Sequence, residues 1–231
     1  KNQLRVQSEG YDLCVIDLND LEARKEEENT TAALLRGECA AFTQRGAKLA
    51  GLDVYISSNV PKGSGVSSSA AFEVLIGVIL NDCFMTDKVS PIEIAQIGQY
   101  AENVYFGKPC GLMDQLTCSL GHTVYVDFHT NEIEPVQADF HSMGLTLCLT
   151  DTGGSHAGLD TSYARIPADM VYIANLFDKG VLGDVDPEEF RRKGWDPANR
   201  PVRRAMHFFN ENERVPLMRD ALKRGDGATY M

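Results

Sequence analysis

A run of glycine and serine set between an alternating segment and an apolar one most restricts what this chain can become. Residues Pro61-Lys62-Gly63-Ser64-Gly65-Val66-Ser67-Ser68-Ser69-Ala70-Ala71 follow Leu52-Asp53-Val54-Tyr55-Ile56-Ser57-Ser58. The period of two in that preceding segment predicts a half-buried strand. The run leads into Ala70 to Leu80, which has the length and composition of a buried helix. Strand, glycine-serine loop and helix start form a layout suited to phosphate. Glycines let the backbone come close, the first-turn N–H groups and positive dipole end face an anion, and hydroxyls can reach phosphate or Mg²⁺. The same layout also serves as a serine-rich N-cap on a core helix. It is neither the Gly-Lys-Ser/Thr phosphate loop nor the dinucleotide Gly-x-Gly-x-x-Gly.

Composition narrows the partners. A chain of 231 residues, 43% hydrophobic, can bury one large core or two modest ones. A net charge of −11 excludes nucleic acid and anionic membrane as general partners, since both would repel it. The six cysteines (Cys14, Cys39, Cys83, Cys110, Cys118, Cys148) form no Cys-x-x-Cys pair and no metal spacing with histidine. They predict reduced, mostly buried thiols and a cytoplasmic protein. No signal peptide and no apolar run of membrane-spanning length is present in the sequence.

Along the chain, Leu4–Gln7 and Tyr11–Asp17 read as strands around a turn, and Leu18–Asn29 as a charged connection. Thr31–Gln44 has helical spacing in Leu34, Leu35, Cys39 and Phe42. Ser90-Pro91-Ile92-Glu93 reads as a capping box with proline in the first helical position. The helix it opens places Ile94, Ile97, Ala101 and Val104 on one stripe and stops before Gly107. Residues 123–128 and 145–150 are expected as strands, 160–177 and 201–224 as helices, and 187–200 as polar and irregular. The strand-and-helix half up to about 140 and the helical half after it suggest two domains, 1–140 and 141–231.

The serine loop resembles the second motif of the GHMP kinases, Pro-x-Gly-x-Gly-Leu-Ser-Ser-Ser-Ala, with Val66 in place of leucine. Tyr100-Ala101-Glu102 and Gly107-Lys108-Pro109-Cys110-Gly111-Leu112-Met113-Asp114-Gln115 are similar to the galactokinase branch of that family. So are Thr150-Asp151-Thr152-Gly153-Gly154-Ser155-His156 with Ser162-Tyr163, and the run from Arg203 to Asp226. The resemblance covers nearly the whole chain. It implies an α+β, two-lobed GHMP kinase fold, with a ribosomal protein S5-like N-lobe and a ferredoxin-like C-lobe, both incomplete. The family's Gly-Arg-Thr-Glu-type sugar segment and its third, glycine-rich motif are not among these residues. The expectation is therefore an internal stretch of a longer enzyme, inactive by itself.

The implied activity is ATP-dependent phosphorylation of galactose at its anomeric hydroxyl, with ATP, Mg²⁺ and the sugar as small-molecule partners. Oligomeric state is left open. By resemblance, Gly63, Ser64, Gly65, Val66, Ser67, Ser68 and Ser69 cradle the nucleotide phosphates, and Ser69 and Glu102 hold Mg²⁺. Asp114 accepts or orients the proton of the sugar hydroxyl, and Tyr163 contacts the sugar. Read locally, Asp114 is also a helix-start carboxylate, Glu102 an exposed helical glutamate and Tyr163 an interface phenol. His156 reads as structural, Cys110 as packing, and Phe208, Phe209 and Trp195 as core or interface. Two other functions share these motifs: a GHMP kinase for another sugar or small alcohol, and a non-catalytic sensor of sugar and ATP.

Overall fold

The computed structural model describes residues 1–61, 65–150 and 160–231. It falls into two compact units, Lys1–Gly121 and His122–Met231. In the first, strands β1 (Gln3–Ser8), β2 (Cys14–Asp17) and β3 (Leu52–Ile56) make a sheet of order β2-β1-β3. β2 runs antiparallel to β1, with Leu4 opposite Ile16, and β3 runs parallel to it, with Val6 opposite Val54. The parallel pair requires a crossover, and helix α1 (Thr31–Gln44) lies within it. Leu4, Val6, Ile16 and Ile56 point from the sheet into one core with Leu35 and Phe42 of α1. Helix α2 (Ser68–Phe84) adds Val74, Ile76 and Leu80, and helix α3 (Pro91–Tyr100) adds Ile94 and Ile97.

α1 forms over the residues its spacing predicts, with Thr30 as N-cap accepting from the Ala33 N–H. It is buried from Ala33 to Phe42 without a polar face, because sheet, α2 and α3 surround it. Gly37 is needed there: a Cβ would lie 2.9 Å from Ala101 Cα. The expected capping box at Ser90 and Glu93 is complete. After Tyr100 the helix widens into one π turn, Ala101–Phe106, closed by Gly107 at φ 82°. The wider turn rotates the stripe by about one residue. Tyr105 is therefore buried, and Val104, expected inside, is 52% exposed. Helix α4 (Met113–Leu120) follows.

The second unit holds the antiparallel hairpin β4 (Val124–Asp127) and β5 (Glu132–Pro135), with α5 (Asp160–Asn175), α6 (Pro187–Arg192), α7 (Arg200–Arg224) and α8 (Gly227–Tyr230). The hairpin thus lies in this unit, although the sequence reading puts residues up to 140 in the first domain. Residues 187–200 are not wholly irregular. Asp186 caps α6, Pro187 opens it, and Phe190 is buried against Trp195 and Phe209, with ring centroids 5.2 and 5.0 Å away. Segment 145–150, expected as a strand, has no ladder partner among the described residues; Leu147 and Leu149 stand exposed. Alternation alone cannot supply a neighbouring strand. The thiols are all free, but only Cys39 is buried; Cys83 and Cys148 are exposed, contrary to the expected burial. Among the described residues no helix is long and apolar enough to cross a membrane.

Candidate active site

Two helix starts meet in the first unit. Ser67 is the N-cap of α2, held in the left-handed region at φ 61°, ψ 43°. Its hydroxyl makes no capping bond to α2 and instead donates to Asp114 Oδ2 at 2.7 Å, across 47 residues of chain. Asp114 lies in the first turn of α4. The starts of the two helices are thus joined at one exposed carboxylate. Ser68 is half-buried and Ser69 exposed in the first turn of α2. Gly65 (φ 77°) and Val66 are exposed beside them, whereas Gly63 and Ser64 lie outside the described residues.

Behind this surface is a buried polar cluster that the sequence reading did not anticipate. Glu102, on the π turn, is only 4% exposed, so the local expectation of a solvated glutamate fails. Gln115 Nε2 donates to Glu102 Oε2 and to Glu73 Oε2, both at 2.9 Å. Gln115 Oε1, Glu73 Oε1 and Glu38 Oε2 are buried with no hydrogen-bond partner. Gly98 allows the cluster to close, since a Cβ there would sit 3.2 Å from Glu73 Cβ and 3.4 Å from Gln115 Cγ. Burial, and then the charge of Glu102, pushes the Glu73 carboxyl up to about 8. Burial, and then the charge of Glu73, holds the Glu38 carboxyl well above the usual carboxylate range. Signals for this cluster do exist in the sequence. Glu73 interrupts the apolar helix 70–80, Glu38 interrupts α1, and Gln115 directly follows Asp114.

The Lys108 ammonium lies 3.4 Å from Glu102 Oε1, an exposed cation reaching a buried carboxylate. Cys110 is half-buried near the same cluster. Burial, and then its bond to Glu102, raises its thiol well above the ordinary value. Tyr163 lies in the other unit, on α5, 50% exposed. Of the segment expected to resemble the family near 150–156, only Thr150 is described; His156 lies outside the described residues.

Residues 32–122 match the family model for the GHMP kinases N terminal domain. The chain is 30% identical to the galactokinase of Streptomyces coelicolor, over 96% of this chain and 59% of that protein. It is 31% identical to the galactokinase of Thermotoga maritima, over 84% of this chain and 55% of the relative. A crystal structure of Lactococcus lactis galactokinase complexed with galactose superposes with a TM-score of 0.78 at 23% identity, over 98% of this chain and 60% of that one. The mixed α+β architecture is accordingly the galactokinase form of the GHMP fold, as expected from sequence. The chain spans a little under three fifths of the relatives it matches.

Proposed function

We propose that the protein carrying this chain phosphorylates galactose at its anomeric hydroxyl, with ATP as donor, to give galactose 1-phosphate and ADP. The observation that carries this reading is the Ser67–Asp114 hydrogen bond, because it ties a phosphate-type loop to a carboxylate. The galactose named with the Lactococcus structure and the galactokinase names of the relatives supply the substrate class. In this reading the backbone N–H groups of the loop, residues 63–69, hold the β- and γ-phosphates. Asp114 takes the proton from the sugar's anomeric hydroxyl. That oxygen forms a bond to the γ-phosphorus as the bond from phosphorus to the β–γ bridging oxygen breaks, and ADP leaves with the electron pair.

Mg²⁺ fits the residues present. A carboxylate and a hydroxyl are hard oxygen donors, and Glu102 already faces one positive charge, that of Lys108. Glu102 and Ser69 would hold the ion, which supplies neutralisation of phosphate charge when bound. Gln115 keeps the Glu102 carboxylate oriented, and the buried surroundings keep water from it. The six free thiols support a cytoplasmic, reducing setting. Phosphorus NMR of the full-length gene product with ATP, Mg²⁺ and galactose should show galactose 1-phosphate and ADP in equal amounts. Turnover of homoserine or mevalonate with none of galactose would contradict the reading.

A further inference from the structure

We infer that Ser67 is a positioning residue for Asp114, acting through its side-chain hydroxyl rather than as part of the phosphate cradle. The inference rests on the proposed role of Asp114 as proton acceptor. A serine N-cap ordinarily turns its oxygen toward the N–H groups of its own first turn. Ser67 makes no such bond. Its left-handed backbone, unusual for a residue other than glycine, aims the hydroxyl away from α2 and onto Asp114 Oδ2 at 2.7 Å. That length is an ordinary one for a hydroxyl donating to oxygen.

The consequence is geometric. With Oδ2 engaged, Oδ1 is the oxygen left to receive a proton. The donor is itself a residue of the loop, so the acceptor is fixed relative to the phosphates rather than only to its own helix. Any contact of Ser67 with phosphate then comes from its backbone N–H. The hydroxyl therefore matters for the alignment of the two reactants and little for the affinity of either.

The test uses the full-length gene product with Ser67→Ala and Ser67→Gly. The glycine variant suits φ 61° and removes the hydroxyl without adding backbone strain. Both should lower kcat by about tenfold while the galactose KM and the nucleotide Kd stay within about twofold. In an Asp114→Asn background, Ser67→Gly should cause almost no further loss. Unchanged kcat in both variants, a weakened nucleotide Kd at normal kcat, or a full additional loss in the Asp114→Asn background would each overturn the inference. Failure of the functional reading shows differently: the wild-type protein would not turn over galactose, or Asp114→Asn would keep more than half its activity. The contact is then judged by melting temperature. A double variant no less stable than the weaker single variant supports it, and additive losses reject it.

Discussion

Asp169 in the second unit and Glu38 and Glu73 in the first are buried in opposite ways. In the second, Asp169 on α5 is held by Arg200, with Nε 2.8 Å from Oδ2, and by Arg204, with Nη1 2.6 Å from the same oxygen. The guanidinium of Arg200, and then the positive charges around it, keep the Asp169 carboxyl below the usual carboxylate range. In the first unit, Glu38 and Glu73 are packed into the helical core with no cation bonded to them among the described residues, and each leaves one oxygen unpaired. Burying a carboxyl without compensation opposes folding, so it is retained only where the surroundings use it. Asp169 is an acid serving the fold. Glu73 shares the Gln115 amide nitrogen with Glu102.

The apolar parts of the two cores differ in the same direction. The second is aromatic, with Phe177, Phe190 and Trp195 in mutual contact and Phe209 against Phe190. The Trp195 N–H is satisfied by the Phe190 carbonyl at 2.6 Å. The first is aliphatic around a polar centre. If the second unit is the one built for stability, Phe190→Ala should cost about 3–5 kcal/mol, measured by denaturant unfolding. A cost below about 1 kcal/mol would remove the contrast.

The pH response sharpens it further. Glu73 binds its proton more tightly folded than unfolded. Its stabilising contribution is therefore complete below pH 4.5 and is lost as pH rises toward about 8. Asp169 behaves in the opposite sense: its contribution is present above the ordinary value near 3.8 and is lost as pH falls through its lowered value. Glu73→Gln should flatten the decline in melting temperature between pH 4.5 and 8, and Asp169→Asn should flatten only the acid limb. Identical slopes in Glu73→Gln and the wild type would mean that the buried acids of the first unit are already compensated.

The smallest expected effect concerns the metal. Ser69→Ala and Glu102→Gln should each raise the Mg²⁺ concentration for half-maximal turnover, by about tenfold, and the double variant by less than the product. Unchanged titrations in both single variants would take them out of the metal site.

What the sequence revealed and what it hid follow the same division. Segments governed by local chemistry were legible: α1 with its period, the Ser90 capping box, and the serine loop leading into α2. Features set by tertiary geometry were not. The π turn that turns Tyr105 inward and Val104 outward packs against α1, distant in the chain. α6 needed its buried Phe190 to hold, and 145–150 alternates without a described partner. The Ser67–Asp114 bond joins residues 47 apart, which no local pattern encodes. The four groups Glu38, Glu73, Glu102 and Gln115 come from α1, α2, the π turn and α4, so only folding brings them together.

The proposed function depends most on one carboxylate, and Asp114→Asn in the full-length gene product tests it most directly. Turnover at saturating galactose should fall by about 10²- to 10⁴-fold, while nucleotide affinity, measured alongside, changes little. A variant that keeps more than half of wild-type turnover would show that the proton is accepted elsewhere and that the meeting of α2 and α4 at Asp114 is structural.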